Sequence, residues 1–229
     1  MKKIFFMTDD EQINDIEVSA EELTDLAFGM FTIFVEQSLS SEGKQLYSEI
    51  ETADDMLPRL ESFISKFSEE YPMLAVPLEM FGSAEDILAF YQCGEAILPT
   101  RTRHTYWIQQ AKPGVAHDAC GAEEAGKWLI FLPPTEADEA WIKIRDATVA
   151  GRLGIGAKVS TARENEDSRD DRKVIYVFTA NWEDESDVMR VREELKNLGF
   201  TDRIGYKRNL DTYAGEYREK GKRVTYYSV

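Results

Sequence analysis

GKWLIFLPPTEADEAWIKIRDATVAGRLGIGAKVST, residues 126–161, decides the architecture of the second half of the chain. GKWLIFL reads as a strand. Thr135-Glu136-Ala137-Asp138 caps a helix whose inner face is Trp141, Ile144, Ala147 and Thr148, and Gly151 ends it. AKVST then returns as a second strand. KVIYVFTA (173–180) is a third, separated from AKVST by a loop from Arg163 to Arg172 that is polar enough to belong on the surface. A second helix starts at Asp184, buries Val188, Val191 and Leu195, and stops at Gly199, after which IGYKR and RVTYYS supply further strands. HTYWIQQ (104–110) is a strand upstream of these. From Lys127 the order is β-α-β-β-α-β with added strands, a split βαβ arrangement with helices on one face of a mixed or antiparallel sheet.

Charge separates this region from what precedes it. Through Thr100 the chain has 5 Lys and Arg against 21 Asp and Glu; the remainder has 22 against 22. The front reads as helical. Ser19 and Glu22 form a capping box ahead of a stripe made by Leu23, Leu26, Ala27, Met30, Phe31 and Phe34. A second helix passes through Leu46 and Ile50. A third begins near Asp55 with Pro58 in its first turn, presents Leu57, Leu60, Ile64 and Phe67 to a core, and ends at Tyr71-Pro72. A fourth runs from Ser83 to Gln92, capped by Ser83 and Asp86. The expected organisation is an α+β chain with an acidic helical unit over residues 1–100 and a mixed domain over 101–229.

Several function classes are disfavoured. Cys93 and Cys120 make no CxxC pair, and His104 and His117 are the sole histidines, so no metal site and no bound cofactor is expected. Free cysteines point to a reducing cytoplasm. MKKIFFMTDDEQ is too short in apolar residues for a signal peptide, and no stretch approaches a membrane span. The acidic front has too few cations to bind phosphates itself. Its acids serve either as a solvated surface or as a cover or docking surface for something basic, a partner protein or the cationic face of the chain's own second half.

Strand parity singles out a ligand-binding face. Odd positions from Arg101 to Gln109 put Arg103 and Trp107 together, so that an indole could stack on a planar ring while the guanidinium meets a phosphate; the alternative is that the acidic unit packs over Trp107. Lys158 and Ser160 share one face of AKVST. Lys207 and Arg208 close another strand and Arg223 opens the last, so Lys158, Ser160, Lys207 and Arg223 are expected to share an anion. The G-x-x-G-x-G of Gly151, Gly154 and Gly156 follows a helix and enters a strand, the reverse of a dinucleotide fingerprint, and reads as a turn.

GKWLIFL, DEAWIKIRDATVAGRLG, AKVSTA, VIYVFTANWEDESDVMRVREELKNLGF, the YK of IGYKR, DTYAGEY and RVTYYS together resemble the basophilic-leukaemia-expressed protein family, over roughly Trp107 to Val229. That family is labelled a phosphothreonine lyase domain and is similar in fold to the cap-binding translation initiation factor 4E. The resemblance implies a 4E-like sheet with helices on one face. It implies as function a soluble binding protein for a phosphorylated small molecule, a nucleotide or RNA end, or a phosphopeptide. Cap-binding proteins of that fold hold a methylated guanine between two tryptophans; Trp107, Trp128, Trp141 and Trp182 are the tryptophans here, of which Trp128 and Trp141 read as core. The lyase label implies β-elimination, for which Lys158 would be the base, His104 the acid, and Arg103, Arg208 and Arg223 the phosphate clamp. A third alternative is a protein-interaction scaffold without a small ligand.

Overall fold

Ser19 and Ser83 start helices by reciprocal capping. In the computed structural model, which describes residues 19–50, 53–116, 118–165, 170–213 and 225–229, the Glu22 N–H donates to Ser19 Oγ while Glu22 Oε2 accepts the Ser19 N–H. Asp86 does the same for Ser83. Two of the four orphan amides at each helix start are thereby satisfied. The chain divides into two units, Met1–Cys93 and Gly94–Val229.

The first unit contains α1 (Ala20–Ser41), α2 (Leu46–Glu49), α3 (Ala53–Glu70), α4 (Pro72–Phe81) and α5 (Ala84–Gln92). Its core is aromatic. Phe31, Leu60 and Phe67 are fully buried, Phe28 stacks on Phe81 with centroids 4.1 Å apart, and the Thr32 and Tyr91 hydroxyls meet at 3.0 Å inside. Two sequence expectations are corrected in phase. The inner face of α1 runs through Ala27, Phe28, Phe31, Thr32, Val35 and Leu39, leaving Leu26 about half exposed, because Phe28 takes the central position. In α3 the buried side is Met56, Leu60, Phe63 and Phe67, and Pro58 lies inside the helix, giving up one helical hydrogen bond. Tyr71-Pro72 ends α3 but also begins α4, since proline is well tolerated at the first helical position.

The second unit follows the order β1 (Trp107–Ala111), a 3-10 turn (Ala119–Gly121), β2 (Gly126–Leu132), α6 (Pro134–Val149), β3 (Gly156–Ser160), β4 (Lys173–Thr179), α7 (Glu185–Asn197), β5 (Gly205–Arg208), α8 (Asn209–Tyr213) and β6 (Tyr227–Ser228). The strands form one sheet, β1-β3-β4-β2-β5-β6, and every described pairing is antiparallel. Alternation gives the sheet one apolar face. Ile108, Trp128, Ile130, Val159, Ile175, Val177 and Tyr206 pack with Trp141 and Ile144 of α6 and Val188, Val191 and Leu195 of α7.

The start of α6 departs from the sequence reading. Its N-cap is Pro133 rather than Thr135, and the Asp138 carboxylate instead accepts the Thr100 N–H at 2.9 Å. The segment ahead of β1 is pinned likewise. Buried Glu95 accepts backbone N–H groups from Arg103 and His104, which draws residues 94–104 into the second unit. Gly151 ends α6 with φ of +72°, and Gly154 lies so near β4 that an added Cβ would stand 1.9 Å from the Phe178 carbonyl oxygen. The G-x-x-G-x-G stretch therefore serves a turn and a close backbone approach.

Candidate functional site

With Ile108, Trp128, Val159, Ile175 and Tyr206 committed to the core, period-two alternation turns Trp107, Lys127, Lys158, Ser160, Tyr176 and Lys207 to the other face. Register brings them together. Lys158 is opposite Tyr176, Lys127 is opposite Phe178 on one side and Lys207 on the other, and Trp107 is opposite Ser160. The result is a lysine row edged by rings: Trp107 and Tyr176 have centroids 5.2 Å apart, and Tyr176 meets Phe178 edge-on at 6.3 Å.

Lys158 Nζ lies 4.3 Å from the Trp107 centroid and 5.4 Å from that of Tyr176. Among the described residues it has no hydrogen-bond or ion-pair partner. Lys127 is buried, with Nζ 5.5 Å from the Tyr176 centroid, and donates to Asn209 Oδ1 at 2.9 Å and Thr212 Oγ1 at 3.1 Å. Both acceptors are neutral. Burial first, then the positive charges of Lys158 and Lys207, push the Lys127 amine down to about 8. Burial also lowers Lys158, with Cys120 pulling the other way. Lys207 is buried beside them.

One wall of this face is built by α8 and the 3-10 turn. Asn209 donates to the carbonyls of Cys120 and Ala122 at 2.9 and 2.8 Å, and the Tyr213 hydroxyl donates to that of Gly121. Cys120 Sγ rests against Gly156, where a Cβ would come within 2.7 Å, and burial pushes its thiol up to about 11. It is held as a neutral thiol at physiological pH.

The residues singled out in the sequence have separate fates. Trp107, Lys158, Ser160 and Lys207 share the face, but Ser160 Oγ accepts the Val174 N–H at 2.9 Å and so is tied to the edge of the β3–β4 ladder. Arg208 has the opposite parity. Its guanidinium lies 4.7 Å from the centroids of both Trp182 and Tyr226 and pairs with Asp211 at 2.7 Å, so it does not join the lysines. Arg103 is exposed on the segment before β1. His104 Nδ1 is 3.2 Å from Glu95 Oε2, an ion-pair distance, and its carbonyl accepts from Arg163. Arg223 and His117 lie outside the described residues. Trp128 and Trp141 are fully buried core. No metal-binding cluster occurs among the described residues, and none of their helices is long and apolar enough to cross a membrane.

Lys127, Asn209 and Thr212 were missed. Parity in GKWLIFL carries the signal for Lys127, because placing Trp128 in the core puts its neighbour on the other face.

Residues 113–215 match the family of basophilic leukemia-expressed protein Bles03. The Bles03 match takes in Lys127, Lys158, Lys207 and Asn209 and stops short of Trp107 on its N-terminal side. Among solved structures, C. elegans eIF4E-3 in complex with the 4E-binding protein Mextli is similar at 17% identity and a TM-score of 0.42, over 56% of this chain and 76% of that one. Schistosome eIF4E complexed with m7GpppA and 4E-BP is similar at 18% identity and 0.42, over 55% and 72%.

Proposed function

We propose that the open sheet face binds a phosphate-bearing ligand with a planar ring, a nucleotide or the end of an RNA. The observation that carries this reading is that Lys127 and Lys158 are withdrawn from water on one face while neither has an ion-pair partner among the described residues. A charge removed from water without a counter-charge is costly, and two like charges in one site raise that cost. A bound phosphate offsets both terms, and Trp107 and Tyr176 offer stacking surface beside it. A phosphoserine or phosphothreonine peptide would use the lysines but bring no ring on the phosphorylated side chain to Trp107 and Tyr176. The acidic helices would recruit a partner or limit access to the face.

Elimination of phosphate from phosphothreonine is the second reading, favoured by the lowered Lys158 amine. The acid assigned to it, His104, is engaged with Glu95, which weighs toward binding without turnover.

Calorimetric titration of the full chain with inorganic phosphate, nucleotides, a cap analogue and a phosphothreonine peptide tests these readings. The expected result is tightest binding of a ring-bearing phosphate, weakening with salt and lost in Lys158→Glu while the variant still unfolds cooperatively. Release of inorganic phosphate from the peptide would establish the lyase instead. Absence of binding by every probe would leave the interaction scaffold.

A further inference from the structure

The outward side of α4 is apolar where a solvated helix of an acidic unit should be polar. Met73, Val76 and Met80 are 73%, 56% and 65% exposed and follow one another at helical spacing, while Pro77 and Leu78 face inward. Core packing does not require them. The inward contacts of α4 are already made, with Phe81 stacked on Phe28. Methionine is flexible and polarisable, which suits a surface that accommodates another protein.

The electrostatic surroundings select the partner. From Phe67 to Thr100 the sequence contains no lysine or arginine, whereas Glu69, Glu70, Glu79, Glu85 and Asp86 are all exposed. We propose that the Met73–Met80 stripe docks a basic amphipathic helix of a partner protein. Such a helix lays its apolar side on the methionines and its lysines and arginines against Glu79 and the other exposed carboxylates of this cation-free stretch. The stripe spans about 10 Å, seven residues at about 1.5 Å each, the length of two turns of a partner helix. No strand occurs among the described residues of the first unit, so strand addition has no edge to use. A second copy would bring the same acids face to face, and anionic lipid would be repelled. This inference is independent of the lysine face.

The test uses the full chain with 13C-methyl methionine. The probe is a helical leucine–lysine peptide of about 18 residues, compared with a scrambled peptide of the same composition. Met73 and Met80 methyl signals should shift on adding the amphipathic peptide and not the scramble, with buried Met56 unmoved as an internal control of fold. Met73→Gln with Met80→Gln leaves charge unchanged and should weaken binding about tenfold or more. Equal binding of both peptides, or full affinity in the glutamine variant, would overturn the proposal. So would a wild-type dimer in sedimentation that the variant disperses, since that assigns the stripe to a second copy.

Discussion

Lys127→Met separates the cost of burying a charge from the contacts that charge makes. The Lys127 amine has a value of about 8 in the folded chain, against about 10.4 unfolded. Between those values the unfolded chain binds more protons than the native one, so stability rises with pH. Relative to low pH, the wild type should gain almost nothing by pH 7 and about 2.5 kcal/mol by pH 10. The methionine variant lacks this term. At pH 7 it escapes a cost of about 3 kcal/mol from burial and from the Lys158 and Lys207 charges but deprives buried Asn209 Oδ1 of a donor, at about 1–3 kcal/mol, so the two proteins should be close in stability there. Urea unfolding followed by tryptophan fluorescence suits the measurement, because Trp107, Trp128, Trp141 and Trp182 all lie in the second unit. Wild type minus variant should climb steadily from pH 7 to pH 10. A difference that changes by less than about 0.5 kcal/mol over that range would refute a buried, depressed amine. The same titration bears on function: a phosphate favours the charged amine, so affinity should fall as pH rises through about 8.

Three further substitutions probe the frame around the site. Phe31→Ala removes a fully buried ring from the helical unit and should cost about 3–5 kcal/mol in thermal unfolding, a value an exposed Phe31 could not give. Arg192→Met leaves the carbonyls of Phe200, Asp202 and Val229 without the guanidinium they share and should cost about 3 kcal/mol or more by urea unfolding; a loss below 1 kcal/mol would show that water replaces it. Gly154→Ala places a methyl against backbone at Phe178 and should destabilise more than an exposed glycine such as Gly43, mutated likewise, would by loss of its positive φ.

Most of the helices and strands were legible because alternation and capping are local, whereas α4 and α8 were not read. Ser19 with Glu22 and Ser83 with Asp86 needed no tertiary knowledge. Phase was harder. Leu26 and Phe28 both fit an apolar stripe on α1, and only the ring of Phe81, supplied by α4, a helix the sequence reading did not include, decides between them. At the site, parity placed Lys158 with Ser160 within one strand, but Trp107 joined them only through the β1–β3 pairing, and Lys127 and Lys207 became neighbours through the β2–β5 pairing, which crosses two helices and two strands of sequence. Arg208 shows the converse. It follows Lys207 directly and shares its charge, yet strand alternation sends it to Trp182, Tyr226 and Asp211.

Arg192 and Lys158 show how a cation required by the fold differs from one available to a ligand. Arg192 is fully buried on α7, and the chain surrounds it with acceptors: the Phe200 and Asp202 carbonyls at 2.7 Å and that of Val229 at 3.3 Å. Its charge joins α7 to the following loop and the last strand. Lys158 is withdrawn from water, lies over an indole and beside like charges, and has no acceptor among the described residues. Opposed lysines across a strand pair, as at Lys127 and Lys207, weaken a sheet rather than hold it. Under the proposed function a bound phosphate would take the place of the acceptor that Lys158 lacks among the described residues, and the rings of Trp107 and Tyr176 beside it would favour a ligand that carries a planar group.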